Sequence, residues 1–108
     1  MRRNIFGELE VRVGEIVKVE DFPEARKPAY KLWIDLGELG VKSSSCQVTR
    51  LYTKQELIGK QVVCVTNLPP LQVGPFCSEV LTNGCYRADG AVVLVIADKT
   101  IPNGSKLW

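Results

Sequence analysis

The sequence predicts an all-β domain, folded as a small five-stranded barrel with one brief helix. Three observations lead there. Several short runs alternate apolar and polar residues with the period of two that a half-buried strand requires. Turn residues punctuate the second half of the chain, notably Asn83-Gly84 and Asp89-Gly90. Helix signals are confined to residues 53–59. At 108 residues the chain is expected to form a single domain over 1–108. It is 45% hydrophobic and 24% charged, an ordinary globular balance that lets it fold on apolar packing alone.

The elements follow in order. In residues 9–19, Leu9, Val11, Val13, Val17 and Val19 fall on odd positions and charged residues on most even ones. Glu15 breaks the phase directly after Gly14, so a bulge or sharp bend is expected there. A long bent first strand suits a barrel, where one strand serves two sheets. Residues 21–28 hold Pro23, Pro28 and several charges, and read as a loop. Residues 29–36 alternate again: Tyr30, Leu32, Ile34 and Leu36 on one face, Lys31, Trp33 and Asp35 on the other. Residues 37–40 form a turn with glycine at each end. Residues 41–49 make an unusually polar strand, with Ser43-Ser44-Ser45 and Gln47.

Thr53 and Glu56 have the spacing of a capping box, which predicts a helix over 54–58 ended by Gly59. Residues 61–68 are a β-branched run, read as a buried strand that must stop at Pro69-Pro70, because proline cannot donate to a sheet ladder. Residues 67–83 begin with a charge-poor, proline-rich loop carrying Phe76. Core packing does not require that loop, and it reads as the rim of a binding site. Strands at 79–82 and 91–97 complete the pattern. Five strands with a helix between the third and fourth is the arrangement of an OB-type Greek-key barrel, with another small barrel or sandwich as the alternative.

Composition excludes several functions. A net charge of +2 with scattered basic residues does not by itself argue for nucleic-acid binding. Arg2-Arg3 and Arg26-Lys27 read most simply as solvated surface. The amino-terminal residues reach Glu8 before any apolar stretch forms, and no run approaches the ~20 residues of a membrane helix, so a cytoplasmic protein without membrane insertion is expected. There is no histidine, and the cysteines at 46, 64, 77 and 85 lack zinc-site spacing. No metal, no cofactor and no catalytic residue is expected. Free thiols are the expected state, Cys64 as a small core residue, with a Cys77–Cys85 disulfide as the alternative. Asp35 and Glu38 read as turn carboxylates, not a catalytic pair.

Three features support binding. Trp33 lies on the polar phase of its strand between Lys31 and Asp35, where it can stack a base or pack an apolar side chain; cover by a loop or second subunit is the structural alternative. The strand from Ser43 to Gln47 offers hydroxyls and an amide, which suit a backbone or a phosphate, or else mark a solvent-facing edge. The loop with Phe76, Ser78 and Glu79 is the third.

Six stretches resemble the CsaA-type secretion chaperones, nearly end to end and in the same order. They are residues 21–37, residues 40–49, Leu-Ile-Gly-Lys-Gln-Val-Val (57–63), Asn-Leu-Pro-Pro (67–70), Phe-Cys-Ser-Glu-Val-Leu (76–81) and Ile-Pro-Asn-Gly-Ser-Lys (101–106). The wider family is that of tRNA-binding domains. The resemblance implies an OB-fold homodimer with extensions at both ends. It implies a non-enzymatic module that binds unfolded or presecretory polypeptides and assists export, with structure-selective tRNA binding as the alternative. Matched residue by residue, the binding region comprises Lys31, Ser44, Ser45, Gln47, Asn67, Pro70, Phe76, Ser78 and Glu79, to which the strand pattern adds Trp33. Relatives commonly carry arginine after the proline pair and lysine after the phenylalanine. Here those positions are Leu71 and Cys77, a loss of two cations that favours polypeptide over phosphate. The apolar pairs Ile5-Phe6 and Leu107-Trp108 are expected to assist dimerisation, with internal packing as the alternative.

Overall fold

A computed structural model describes residues 8–107. In chain order its strands are β1 (Val11–Asp21), β2 (Tyr30–Asp35), β3 (Val41–Cys46), β4 (Gln61–Val65), β5 (Leu71–Val73), β6 (Phe76–Ser78), β7 (Leu81–Thr82), β8 (Gly84–Tyr86) and β9 (Val92–Leu94). A single helical turn, α1 (Lys54–Leu57), sits between β3 and β4, where the sequence places it. Five strands pair antiparallel in the order β3-β2-β1-β4-β7. β1 to β3 run as a meander and β4 returns beside β1, which is the Greek-key course. Backbone bonds from Glu79 and Val80 to the carbonyl of Ser43 draw the far edge back to β3. The result is a nearly closed OB-type barrel.

The alternation in β2 is as expected. Leu32, Ile34 and Leu36 are fully buried, with Ile16, Val62 and Leu57 among their core partners. The capping box also forms: Glu56 N–H donates to Thr53 Oγ1 at 3.2 Å, and Thr53 N–H to Glu56 Oε1 at 2.6 Å. Helix α1 is one residue shorter than predicted, because Ile58 already adopts an extended conformation.

Three expectations are corrected. The bulge in β1 lies between Ile16 and Lys18, not at Gly14. It absorbs Val17, which is 43% exposed, so the inward phase passes from Ile16 to Val19. Gly14 stays in the ladder opposite Val62 because only glycine fits there: a Cβ would come within 2.5 Å of Ile34 Cγ2. Second, the rim loop resolves into a hairpin. β5 and β6 pair from Leu71↔Ser78 to Val73↔Phe76 around Gly74-Pro75, the glycine at φ +54°. Third, Asn83-Gly84 is not a turn. The chain runs on into β8, Asn83 bonds Val63 and Val95 through its backbone, and β9 passes so close that a Cβ on Gly84 would lie 2.7 Å from Val92. The Asp89-Gly90 turn does join β8 to β9.

Residues 104–107 lie along the first half of β1. Gly104 N–H donates to Val13 O at 2.7 Å, and Val13 N–H to Ser105 O at 2.9 Å. Leu107 N–H bonds Val11 O, so Leu107 runs beside β1 of its own chain, whereas Ile5, Phe6 and Trp108 fall outside the described residues. Among the described residues, no helix is long and apolar enough to cross a membrane.

Candidate functional site

The outward face of β2 carries the candidate site. Barrel closure turns Leu32 and Ile34 inward and so presents Lys31 and Trp33 outward. The register sets Trp33 between Lys18 of β1 and Ser43 of β3, and Lys31 between Glu20 and Ser45. Two loops fold over this face. The first follows β1 and brings Phe22; the second is the β5–β6 hairpin, which brings Phe76. The three rings meet edge to face, Phe22 to Phe76 at 5.4 Å and Trp33 to Phe76 at 5.8 Å between centroids. Such geometry sets the positive edge of one ring against the negative face of the next. Cations complete the cluster. Lys31 Nζ lies 5.1 Å from the Phe22 centroid and 5.5 Å from that of Phe76, and Lys18 Nζ lies 4.7 Å from Trp33. Phe22 is buried, while Trp33 and Phe76 are half-buried.

Beside the cluster runs a groove of about 500 Å³. Leu71 and Val73 of β5 form one wall, Ser45 and Gln47 another, and residues 24–27 of the first loop close it with Arg26 and Lys27. Leu71 is the most exposed of its walls' apolar residues, at 64%. Leu71 thus sets an exposed apolar side chain at the edge of the groove.

The remaining predicted residues lie elsewhere in the barrel. Ser44 is fully buried and accepts from Thr82 Oγ1 at 2.8 Å. Ser78, also buried, accepts from the Ser45 amide at 2.9 Å. Glu79 receives both the amide and the hydroxyl of Ser43, at 3.0 and 2.9 Å. These groups fasten the far edge of the barrel to β3. Asn67 holds residues 8–10, accepting from Glu10 N–H at 2.8 Å and donating to Glu8 O at 2.6 Å. Pro70 lines a separate recess of about 320 Å³ with Leu68, Lys42 and Glu79. The structure thus brings Lys31, Trp33 and Phe76 together, places Ser45 and Gln47 in the adjoining groove, and assigns Ser44, Ser78, Glu79 and Asn67 to the frame.

Sequence reasoning missed Phe22 and Lys18. The signal for Phe22 was a lone aromatic residue between Asp21 and Pro23; Lys18 sits on the outward phase of β1, where charge is the default. Arg26 and Lys27, read as ordinary solvated surface, line the groove.

Among the described residues no group of three or more His, Cys, Asp or Glu side chains is placed to hold a metal ion. Asp35 accepts from Gly37 N–H at 2.9 Å as a turn carboxylate, and Glu38 is exposed. All four cysteines are free, Cys77 and Cys85 at the surface. Burial pushes the Cys46 thiol up to about 12 and the Cys64 thiol up to about 11, so both are neutral core groups.

Comparison with known proteins places the fold. The solved structure of the chaperone CsaA from Bacillus anthracis superposes with a TM-score of 0.92 at 45% identity, covering 100% of this chain and 99% of that one. The CsaA chaperone protein from Picrophilus torridus gives 0.91, also at 45% identity and the same coverage. The methionine–tRNA ligase of Bacillus subtilis is 33% identical over 103 residues, which is 94% of this chain but only 15% of that enzyme. The family model described as "Putative tRNA binding domain" matches residues 11–106. The chain belongs to that tRNA-binding-domain family, in the form shared with the CsaA chaperone structures.

Proposed function

We propose that this protein is a non-enzymatic, chaperone-like module of the cytoplasm that binds unfolded or presecretory polypeptides as a homodimer and assists their export. The observation that carries the reading is the aromatic cluster of Phe22, Trp33 and Phe76, set beside a groove whose mouth is Leu71. Apolar surface that is half-open and rimmed by cations accepts apolar and acidic side chains of an unstructured chain. Similarity to the CsaA structures supports the same assignment.

The direct experiment is suppression of aggregation of a chemically denatured client, read by light scattering. Wild type delays aggregation. Phe76→Asp, which puts a charge at the centre of the cluster, abolishes the delay, and Phe76→Ala weakens it. A wild-type protein that neither delays aggregation nor retains unfolded client overturns the reading.

A second reading, structure-selective tRNA binding, draws on a specific observation: Lys18, Lys31, Arg26 and Lys27 share the face that carries Trp33. Family membership favours it too. Gel shifts with tRNA at two salt concentrations separate the two, because phosphate contacts weaken steeply with salt and apolar contacts do not. Lys31→Ala lowers tRNA affinity across sequences if phosphate contact dominates.

A further inference from the structure

The hairpin that walls the groove has an open edge. Val73 and Phe76 flank a two-residue turn and form a hydrogen-bonded pair, which makes Leu71 and Ser78 the next such pair. Gln72 and Cys77 between them therefore point their backbone groups outward. The carbonyl of Cys77 is taken, accepting from Ser43 Oγ at 2.7 Å. The N–H and C=O of Gln72 have no partner among the described residues, and the Gln72 side chain turns back to Gly74 O at 2.8 Å. Across the groove, β3 shows the same feature: the Ser45 amide is used by Ser78, while no described residue pairs with the Ser45 carbonyl or the Gln47 amide group.

These open groups choose among ligands. Two are backbone carbonyls, which accept hydrogen bonds and repel phosphate oxygens. A polypeptide in extended form supplies N–H donors and C=O acceptors together, at the spacing of a strand. The prolines at 69, 70 and 75 bracket β5 and keep the open edge three residues long. A short edge admits one partner strand without inviting sheet-to-sheet aggregation. We propose that the open edge of β5, at the rim of the groove, captures an extended polypeptide segment by strand addition, with the backbone of Gln72 as the docking pair and the client's alternate side chains meeting Leu71 and Val73 of the groove wall. The inference rests on the polypeptide reading given above and specifies its geometry. It also places recognition in the main chain, so the module accepts clients of varied sequence provided they are extended.

Two substitutions at one position test it. Gln72→Pro removes the outward N–H while leaving the β5–β6 pairing intact, because this residue makes no ladder bond; Gln72→Ala alters the side chain alone. The probe is a permanently unfolded polypeptide, reduced and carboxymethylated α-lactalbumin, with binding read by fluorescence anisotropy. Gln72→Pro weakens binding about tenfold, the scale of a lost hydrogen bond plus a blocked approach, and Gln72→Ala binds as wild type does. Equal binding by all three proteins overturns strand addition while leaving the polypeptide reading in place. Equal loss in both variants also overturns it, since the side chain then carries the contact. If wild type does not bind the probe at all, both readings fall. Should Gln72→Pro not fold, amide exchange in the wild type decides: the Gln72 N–H slows when probe is added, and an unchanged rate overturns the proposal.

Discussion

Phe76 touches two aromatic rings and lies under the ammonium of Lys31. Edge-to-face pairs contribute about 0.5–1.5 kcal/mol each beyond area burial. Phe76→Ala is therefore expected to cost about 1–3 kcal/mol of stability, measured by urea unfolding, and to shift Trp33 emission to the red as its cover is lost. The cysteines divide at the same scale. Cys77 and Cys85 react with a thiol reagent at pH 8 within the mixing time of a native sample, whereas Cys46 and Cys64 react only on unfolding. Their raised values also set an alkaline limit. Folding keeps these thiols protonated above the ordinary 9.0, so the unfolded chain releases protons first. Their contribution to stability is full below about pH 9 and is lost as pH rises through about 11 and 12, which an alkaline unfolding series at fixed ionic strength will follow.

Among the elements, the join between β3 and residues 78–82 holds the barrel shut. It is made by the polar groups of Ser43, Ser44, Ser78, Glu79 and Thr82, beside the buried Val80. Glu79→Ala leaves the Ser43 amide without its acceptor, while the Ser43 hydroxyl keeps the Cys77 carbonyl, and a loss of about 1–3 kcal/mol is expected, with faster amide exchange at Ser43. Glu79→Gln, which keeps an acceptor oxygen, is expected to cost less. This join also explains what the sequence concealed. A serine-rich strand has two meanings, a face for ligands or a seam between strands, and period-two alternation is the same for both. Only the partner across the seam distinguishes them, and that partner lies 33–38 positions away. The hairpin of β5 and β6 was hidden for a related reason. Strands of three residues bracketed by prolines offer no period to count. By contrast, β2 and α1 were legible because their signals are local: a clean alternation around Trp33, and a Thr53–Glu56 capping box. The same locality made the outward placement of Lys31 and Trp33 legible, whereas Phe22 joins their cluster only through the fold.

At the scale of the whole molecule, the proposed homodimer is tested by light scattering on the full chain. A mass of twice 12.0 kDa is expected, and a monomer at micromolar concentration overturns it. Deleting residues 107–108 separates two uses of that segment. If it serves pairing, the shortened protein scatters as a monomer with its barrel intact; an unchanged dimer excludes it from pairing. Deleting residues 103–108 is expected to do more, because Gly104 and Ser105 bond β1 directly.

That pairing of β1 with residues 104–107 has a temporal consequence. Arg12 reaches Gly104 across 92 positions of chain. Gly37 and Gly104 cross so closely that a Cβ on either would lie 2.3–2.4 Å from the other segment's backbone oxygen. β1 thus waits for residues 104–107 before this edge is covered. During synthesis, β1 to β3 emerge with that edge bare for most of the chain's length, and closure comes in one late step. Contacts so distant in sequence are slow to form, because loop closure precedes any reward. Until that closure, the β1 edge is the part of this chain most open to pairing with another strand.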